Sequence, residues 1–99
     1  MTVKFQYVNT DVSETLSTFT EKKLNKLAEK FDFIISAQVY FKHEDQNHDA
    51  GKICNVELSL PGPRVFAASN EKTYEAAVNE TIRDLKKQLN KRKETFKTY

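Results

Sequence analysis

The sequence predicts an α+β fold of order βαβββα, a four-stranded mixed sheet with two helices packed on one face. Three observations carry this. Two stretches, one near the start and one filling the last quarter, repeat their apolar residues at helical spacing. Three short stretches alternate apolar with polar residues, the two-residue period of strands that bury one face, and a fourth short run follows a Pro-Gly-Pro turn. The 99 residues, 38% hydrophobic and 30% charged with only two Gly and two Pro, leave room for one modest core and little material for long disordered stretches. Residues 1–99 are therefore expected to form a single domain.

Val3, Phe5 and Tyr7 alternate with Thr2, Lys4 and Gln6, which predicts a first strand over Val3 to Val8. Asp11, followed three residues later by Glu14, has the spacing of a capping box. Leu16, Phe19, Leu24 and Leu27 then recur at helical spacing, so the first helix is expected from about Val12 to Phe31. Ile35, Ala37, Val39 and Phe41 are expected on one face of the second strand, with Ser36, Gln38, Tyr40 and Lys42 on the other. After the polar stretch Glu44 to Gly51, Cys54, Val56, Leu58 and Leu60 repeat the pattern and complete a hairpin. Pro61-Gly62-Pro63 forces a second turn before a short run from Arg64 to Ala68, and Thr73 opens a helical pattern that continues to the end.

A strand, helix and strand in succession form a right-handed crossover that sets the first two strands parallel, while the later strands add as antiparallel hairpins. Both helices are too weak alone and must close one sheet face with their apolar stripes. On the second helix that stripe is Tyr74, Ala77, Val78, Ile82, Leu85 and Leu89.

The formal net charge is only +2, but its distribution is uneven. From Thr20 to Lys30 there are four Lys against two Glu, and from Arg83 to Lys97 seven basic residues against two acidic ones. Between Phe31 and Ile82 eight carboxylates outnumber four bases. At about 100° per residue, Asn79, Arg83, Lys86, Asn90, Lys93 and Lys97 line up opposite or beside the apolar stripe of the second helix, flanked by Lys87 and Lys91. Lys22, Lys26 and Lys30 recur every four residues on the first, with Lys23 beside them. Two such ridges suit a polyanion, because Lys and Arg neutralise phosphates without reading base sequence. Surface helices also carry Lys and Glu merely to stay solvated, yet a solvated helix mixes its signs more evenly than Arg83 to Lys97 does.

Other classes find less support. No apolar run approaches the roughly 20 residues that span a bilayer, and Met-Thr-Val-Lys-Phe lacks the apolar core of a secretory signal, so a cytoplasmic protein without a membrane partner is expected. Cys54 stands alone and reads as a small buried hydrophobe. His43, Glu44, Asp45, His48 and Asp49 cluster in a hairpin turn, but without a helical ligand pair or a second cysteine they read as a polar turn. No Gly-rich phosphate loop or paired nucleophile and base is apparent, so no enzyme, no cofactor and no small-molecule substrate are expected.

The segment Thr73-Tyr74-Glu75-Ala76-Ala77-Val78-Asn79, with Leu85-Lys86-Lys87-Gln88-Leu89 and Lys91-Arg92-Lys93, resembles the last helix of the ribosome hibernation-promoting factor and ribosome-associated inhibitor family, of the sigma-54 modulation protein type. Lys23, Lys26, Leu27, Phe31, Asp32 and Ile34 resemble the end of its first helix, and Pro61-Gly62 with Phe66-Ala67 its last hairpin. The resemblance covers essentially the whole chain. It implies a domain shaped like double-stranded-RNA-binding domains that contacts rRNA in the small ribosomal subunit's decoding channel, blocks mRNA and tRNA, and so inhibits translation and keeps ribosomes inactive. By the same resemblance Lys23, Lys26, Lys87, Lys91 and Lys93 are expected to contact rRNA. Lys22, Arg83, Lys86 and Arg92 join them from the helical wheel and the charge count. The chain departs from the family pattern at Phe33, where Arg is frequent, at Asp84 for Lys and at Asn79 for Asp. In length it resembles the short factors that lack a C-terminal dimerisation domain and work with a separate ribosome modulation factor. Two alternatives stay open: a generic binder of double-stranded RNA, and a protein-interaction module using the other sheet face through Tyr40, Ile53 and Phe66.

Overall fold

In the computed structural model, which describes residues 1–44 and 50–96, the order is β1 (Thr2–Val8), α1 (Glu14–Lys30), β2 (Ser36–His43), β3 (Lys52–Ser59), β4 (Val65–Glu71) and α2 (Tyr74–Phe96). The strands lie side by side in chain order, β1 parallel to β2 and the other neighbours antiparallel. Phe5, Val39, Val56 and Ala67 occupy one cross-strand row, and both helices pack on that face. The predicted βαβββα fold is therefore the observed one.

This topology fixes how the helices run. Two antiparallel steps separate β2 from β4, so β4 points the same way as β1, and each helix returns against the strand before it. Consequently α1 and α2 run parallel and end at the same end of the molecule. Phe33, just after α1, and Phe96, the last residue of α2, meet there edge to face with ring centres 5.1 Å apart.

Helix starts follow side-chain chemistry, with one departure from expectation. Ser13, not Asp11, caps α1: its Oγ accepts the Leu16 N–H at 3.2 Å from an extended backbone. The Tyr7 hydroxyl fixes this start by donating to the Ser13 carbonyl at 2.8 Å and bonding Ser17 Oγ at 2.8 Å. Glu14 is thus the first helical residue, too early in the first turn to close a capping box, which needs the third. Thr73 caps α2 by accepting the Ala76 N–H.

Two strand expectations also change. Ile35, expected on the buried face, is 59% exposed, while Ile34 is buried. The alternation begins only at Ser36, because the Ile34 N–H bonds Phe31 O in the turn leaving α1. β4 runs on to Glu71 rather than stopping at Ala68, in register with β3 as far as Lys52. Its last residues are polar, and Asn70 Oδ1 accepts the Gly51 N–H at 2.6 Å, so hydrogen bonds rather than apolar burial hold this end.

Leu24, Phe31, Val39, Phe41, Val56, Leu58, Leu85 and Leu89 form the deepest core. Thr20 and Thr81 share it, each satisfied by a carbonyl: Thr20 Oγ1 donates to Leu16 O at 2.8 Å and Thr81 Oγ1 to Cys54 O at 3.3 Å. Cys54 is fully enclosed, and burial pushes its thiol up to about 11 despite a hydrogen bond with Thr81. It is a structural thiol, as the alternation around it indicates.

Candidate RNA-binding face

Burial of Ala77, Val78, Thr81, Leu85 and Leu89 turns one side of α2 to the sheet. Arg83, Lys86, Lys87, Lys91 and Lys93 are left exposed. Two bonds show which flank of α2 faces the edge strand β4. Gln88 Nε2 donates to Phe66 O at 2.9 Å, and one turn later Arg92 Nη1 donates to Pro61 O at 3.1 Å. The opposite flank, with Ile82, Lys86 and Lys93, faces α1. There Lys93 Nζ lies 6.0 Å from the centre of the Phe31 ring at the end of α1.

On α1 the buried residues Leu16, Thr20, Leu24 and Leu27 leave Lys22 and Lys26 exposed. Lys23 is half-buried, its ammonium 5.4 Å from the Phe19 ring centre. Lys30 Nζ stands 5.5 Å from the same Phe31 ring that Lys93 approaches. The two basic ridges therefore sit on the exposed side of one helical layer and converge at its C-terminal end. Lys30 belongs to the predicted ridge but not to the residues expected to touch RNA. Its four-residue spacing from Lys26 is the sequence signal that would include it. Lys97, Asp45, His48 and Asp49 lie outside the described residues.

Lys22, Lys26, Arg83, Lys86, Lys87, Lys91 and Lys93 thus share an accessible surface, and Lys23 borders it. Arg92 is placed apart. It is half-buried on the sheet side of α2, and its guanidinium is engaged at the β3–β4 turn. Gly62 in that turn, at φ +92, gives it room, since a Cβ there would stand 3.1 Å from Arg92 Nη1. Arg83 pairs with Glu80 at 2.9 Å, an exposed pair contributing about 0–1 kcal/mol, which a phosphate can displace.

Because the helices are parallel, the negative ends of both dipoles lie together. Lys30 and Lys93, in the last turns, complement them by roughly 0.3–1 kcal/mol each. Lys22, Lys26, Lys86 and Lys87 lie too far from those ends to serve that purpose. The outer sheet face is different in kind: among the described residues Arg64 pairs with Glu57 at 2.6 Å and Lys42 with Glu44 at 3.0 Å, with Lys4 exposed beside them. Among the described residues no three His, Cys, Asp or Glu side chains are grouped to hold a metal. No described helix is long and apolar enough to cross a membrane. What the surface offers chemically is a one-sided array of phosphate-neutralising cations on a rigid layer.

Comparison with known proteins gives the family and the fold. A profile of the family described as sigma 54 modulation protein / S30EA ribosomal protein matches residues 3–97. Among solved structures, a ribosomal subunit interface protein from Coxiella burnetii is 27% identical, with a TM-score of 0.82 over 94% of this chain and 98% of that one. The N-terminal domain of Thermus thermophilus Protein Y is 18% identical with a TM-score of 0.73, over 91% of this chain and 93% of that one, a likeness of fold. No curated protein sequence matches the chain.

Proposed function

The chain belongs to the sigma 54 modulation protein / S30EA ribosomal protein family, a ribosome-associated family, and on that footing we propose that it acts as a hibernation factor through its helical face. In this reading residues 1–99 work as one domain. Lys22, Lys23, Lys26, Arg83, Lys86, Lys87, Lys91 and Lys93 neutralise rRNA phosphates in the decoding channel of the small subunit. The bound domain occupies the path of mRNA and tRNA, inhibits translation and stabilises idle ribosomes in the cytoplasm. Arg92 contributes mainly by bracing the turn beneath α2. No chemical step is needed: occlusion requires affinity, shape and a rigid body.

The observation that carries this reading is the convergence of two basic ridges on one side of a two-layer domain whose other face carries ion pairs. A merely solvated surface gains nothing from such segregation, whereas a polyanion partner does. Cosedimentation with isolated small subunits, large subunits and ribosome dimers tests it. The expected result is association with small subunits that weakens steeply with salt and competes with mRNA and tRNA. Equal affinity for an isolated RNA duplex would instead favour a generic double-stranded-RNA binder.

A second reading has one observation in its favour: Phe66 is 54% exposed on the outer sheet face, with Tyr40 and Ile53 half-buried on the same face. Docking of a protein there predicts an affinity nearly independent of salt. Partnership with a separate ribosome modulation factor belongs to the same proposal and is tested by adding such a factor to the sedimentation mixture.

A further inference from the structure

The end of the molecule where both helices stop holds more than charge. Phe31, Phe33 and Phe96 form a chain of edge-to-face contacts, with ring centres 6.0 Å apart for Phe31 and Phe33 and 5.1 Å for Phe33 and Phe96. Phe31 is buried, but Phe33 and Phe96 are each partly open to solvent. Lys30 from α1 and Lys93 from α2 both reach over Phe31. Each of these ammoniums, 5.5 and 6.0 Å from the ring centre, gains only a modest cation–π attraction at an exposed site. A polyanionic strand passing over this end of the layer would meet both charges. An aromatic surface flanked by cations is also the combination that holds unpaired nucleotides, the ring stacking on the base and the cations engaging the phosphates.

We propose that this junction is a nucleotide site: Lys30 and Lys93 engage backbone phosphates of one RNA strand while an unpaired base stacks on the open surface of Phe33 and Phe96. The inference rests on the reading of the helical layer as an RNA-binding face and names a separate element within it. Basic ridges alone treat all sequences and all backbones alike. A stacking platform at their meeting point adds a requirement for an unstacked base, a bulge, loop or strand end, at a fixed place on the protein.

The test compares binding of two short single-stranded oligonucleotides of equal length, oligoadenylate and oligouridylate, to the full chain at one salt concentration. Phosphate contacts are the same for both, so a difference reports stacking, which is stronger for the purine. The wild-type chain is expected to bind oligoadenylate several-fold tighter, on the order of 5-fold. Phe33→Leu keeps an apolar side chain against Phe31 and Phe96 but removes the π face. It is expected to abolish the preference by lowering oligoadenylate affinity more than oligouridylate affinity, with the circular dichroism helical signal intact. Lys93→Gln should weaken both oligonucleotides alike and keep the preference.

A second readout needs no variant: ring protons of Phe33 and Phe96 should shift upfield in NMR spectra on addition of oligoadenylate. Equal binding of the two oligonucleotides by the wild type, a preference that survives Phe33→Leu, or ring signals that do not move would each overturn the proposal. Cosedimentation of the wild type with small subunits separates this outcome from that of the hibernation reading. Ribosome association without base preference removes only the nucleotide site; base preference without ribosome association removes only the hibernation reading.

Discussion

Neutralising Lys87, Lys91 and Lys93 together, each to Gln, removes three charges from the exposed side of α2 and leaves the core untouched. Among the described residues no carboxylate pairs with Lys87 or Lys91, and surface changes of that kind usually stay within about 0.5 kcal/mol each. Lys93 gives up more, its position near Phe31 and its complement to the helix dipole, together about 1 kcal/mol. The total of about 2 kcal/mol is small against the roughly 5–15 kcal/mol of a typical domain, so the variant should keep its helical signal. Its ribosome affinity should fall steeply. Every phosphate that the protein no longer neutralises flattens the log–log dependence of affinity on salt by about 0.7 to 0.9, so three of them flatten it by roughly 2 to 3. The assay is binding to isolated small subunits across a salt series from about 50 to 200 mM, with Arg92→Gln as the internal control. Because Arg92 already donates to Pro61 O, its removal should change the slope by much less than a single phosphate would. A folded triple variant whose slope matched the wild type would refute an electrostatic role for the exposed side of α2. An Arg92→Gln slope as flat as that of the triple variant would refute the setting of Arg92 apart from that surface.

The remaining predictions concern the scaffold that presents those charges. Leu85→Ala empties a fully buried site and should cost about 2–5 kcal/mol in a denaturant titration, enough to leave little folded protein in a domain of this size. Ser13→Ala should lower stability by about 1 kcal/mol, whereas Asp11→Ala should leave the melting midpoint nearly unchanged, since only Ser13 caps α1. Cys54 should resist alkylation in the folded chain at pH 8 and react when denaturant is added. Its raised folded pKa sets the sign of the pH dependence. Below the ordinary thiol value of 9.0 both states are protonated and stability is unaffected. As pH climbs from there toward about 11, only the unfolded thiol ionises, so stability falls across that window in wild type and not in Cys54→Ala.

The fold is legible in the sequence because its two periods compete nowhere: helical spacing in two segments and alternation in three, with the fourth strand marked by a short apolar run after a turn. The misplacements arise where a tertiary contact outvotes a local signal. Asp11 and Glu14 have the spacing of a capping box, but Tyr7, ten residues from Ser17, reaches across and starts the helix at Ser13. Polar Ser69, Asn70 and Glu71 conceal the end of β4, because what holds them is pairing with β3 and a bond to Gly51 rather than an apolar face. Thr20 and Thr81 look like surface residues by composition and are buried, although each sits four residues from a core leucine, which is the available clue.

The candidate site shows the limit in its sharpest form at Arg92 and Lys93. They are adjacent and equally basic, and a charge count treats them alike. A step of about 100° carries them to different flanks of α2, one toward the β3–β4 turn and one toward α1. A helical wheel gives that angle, but not which flank meets which neighbour. The topology supplies the missing fact, because β4 precedes α2 and lies at the sheet edge while α1 covers β1 and β2. Once the helices are known to be parallel, the α1-facing flank must bring Lys93 to the end of α1, where Lys30 already stands. Charge segregation can therefore be read from the sequence alone. The meeting of the two ridges at an aromatic surface, which turns a diffuse basic face into a place where one nucleotide can be held, requires the order of the strands.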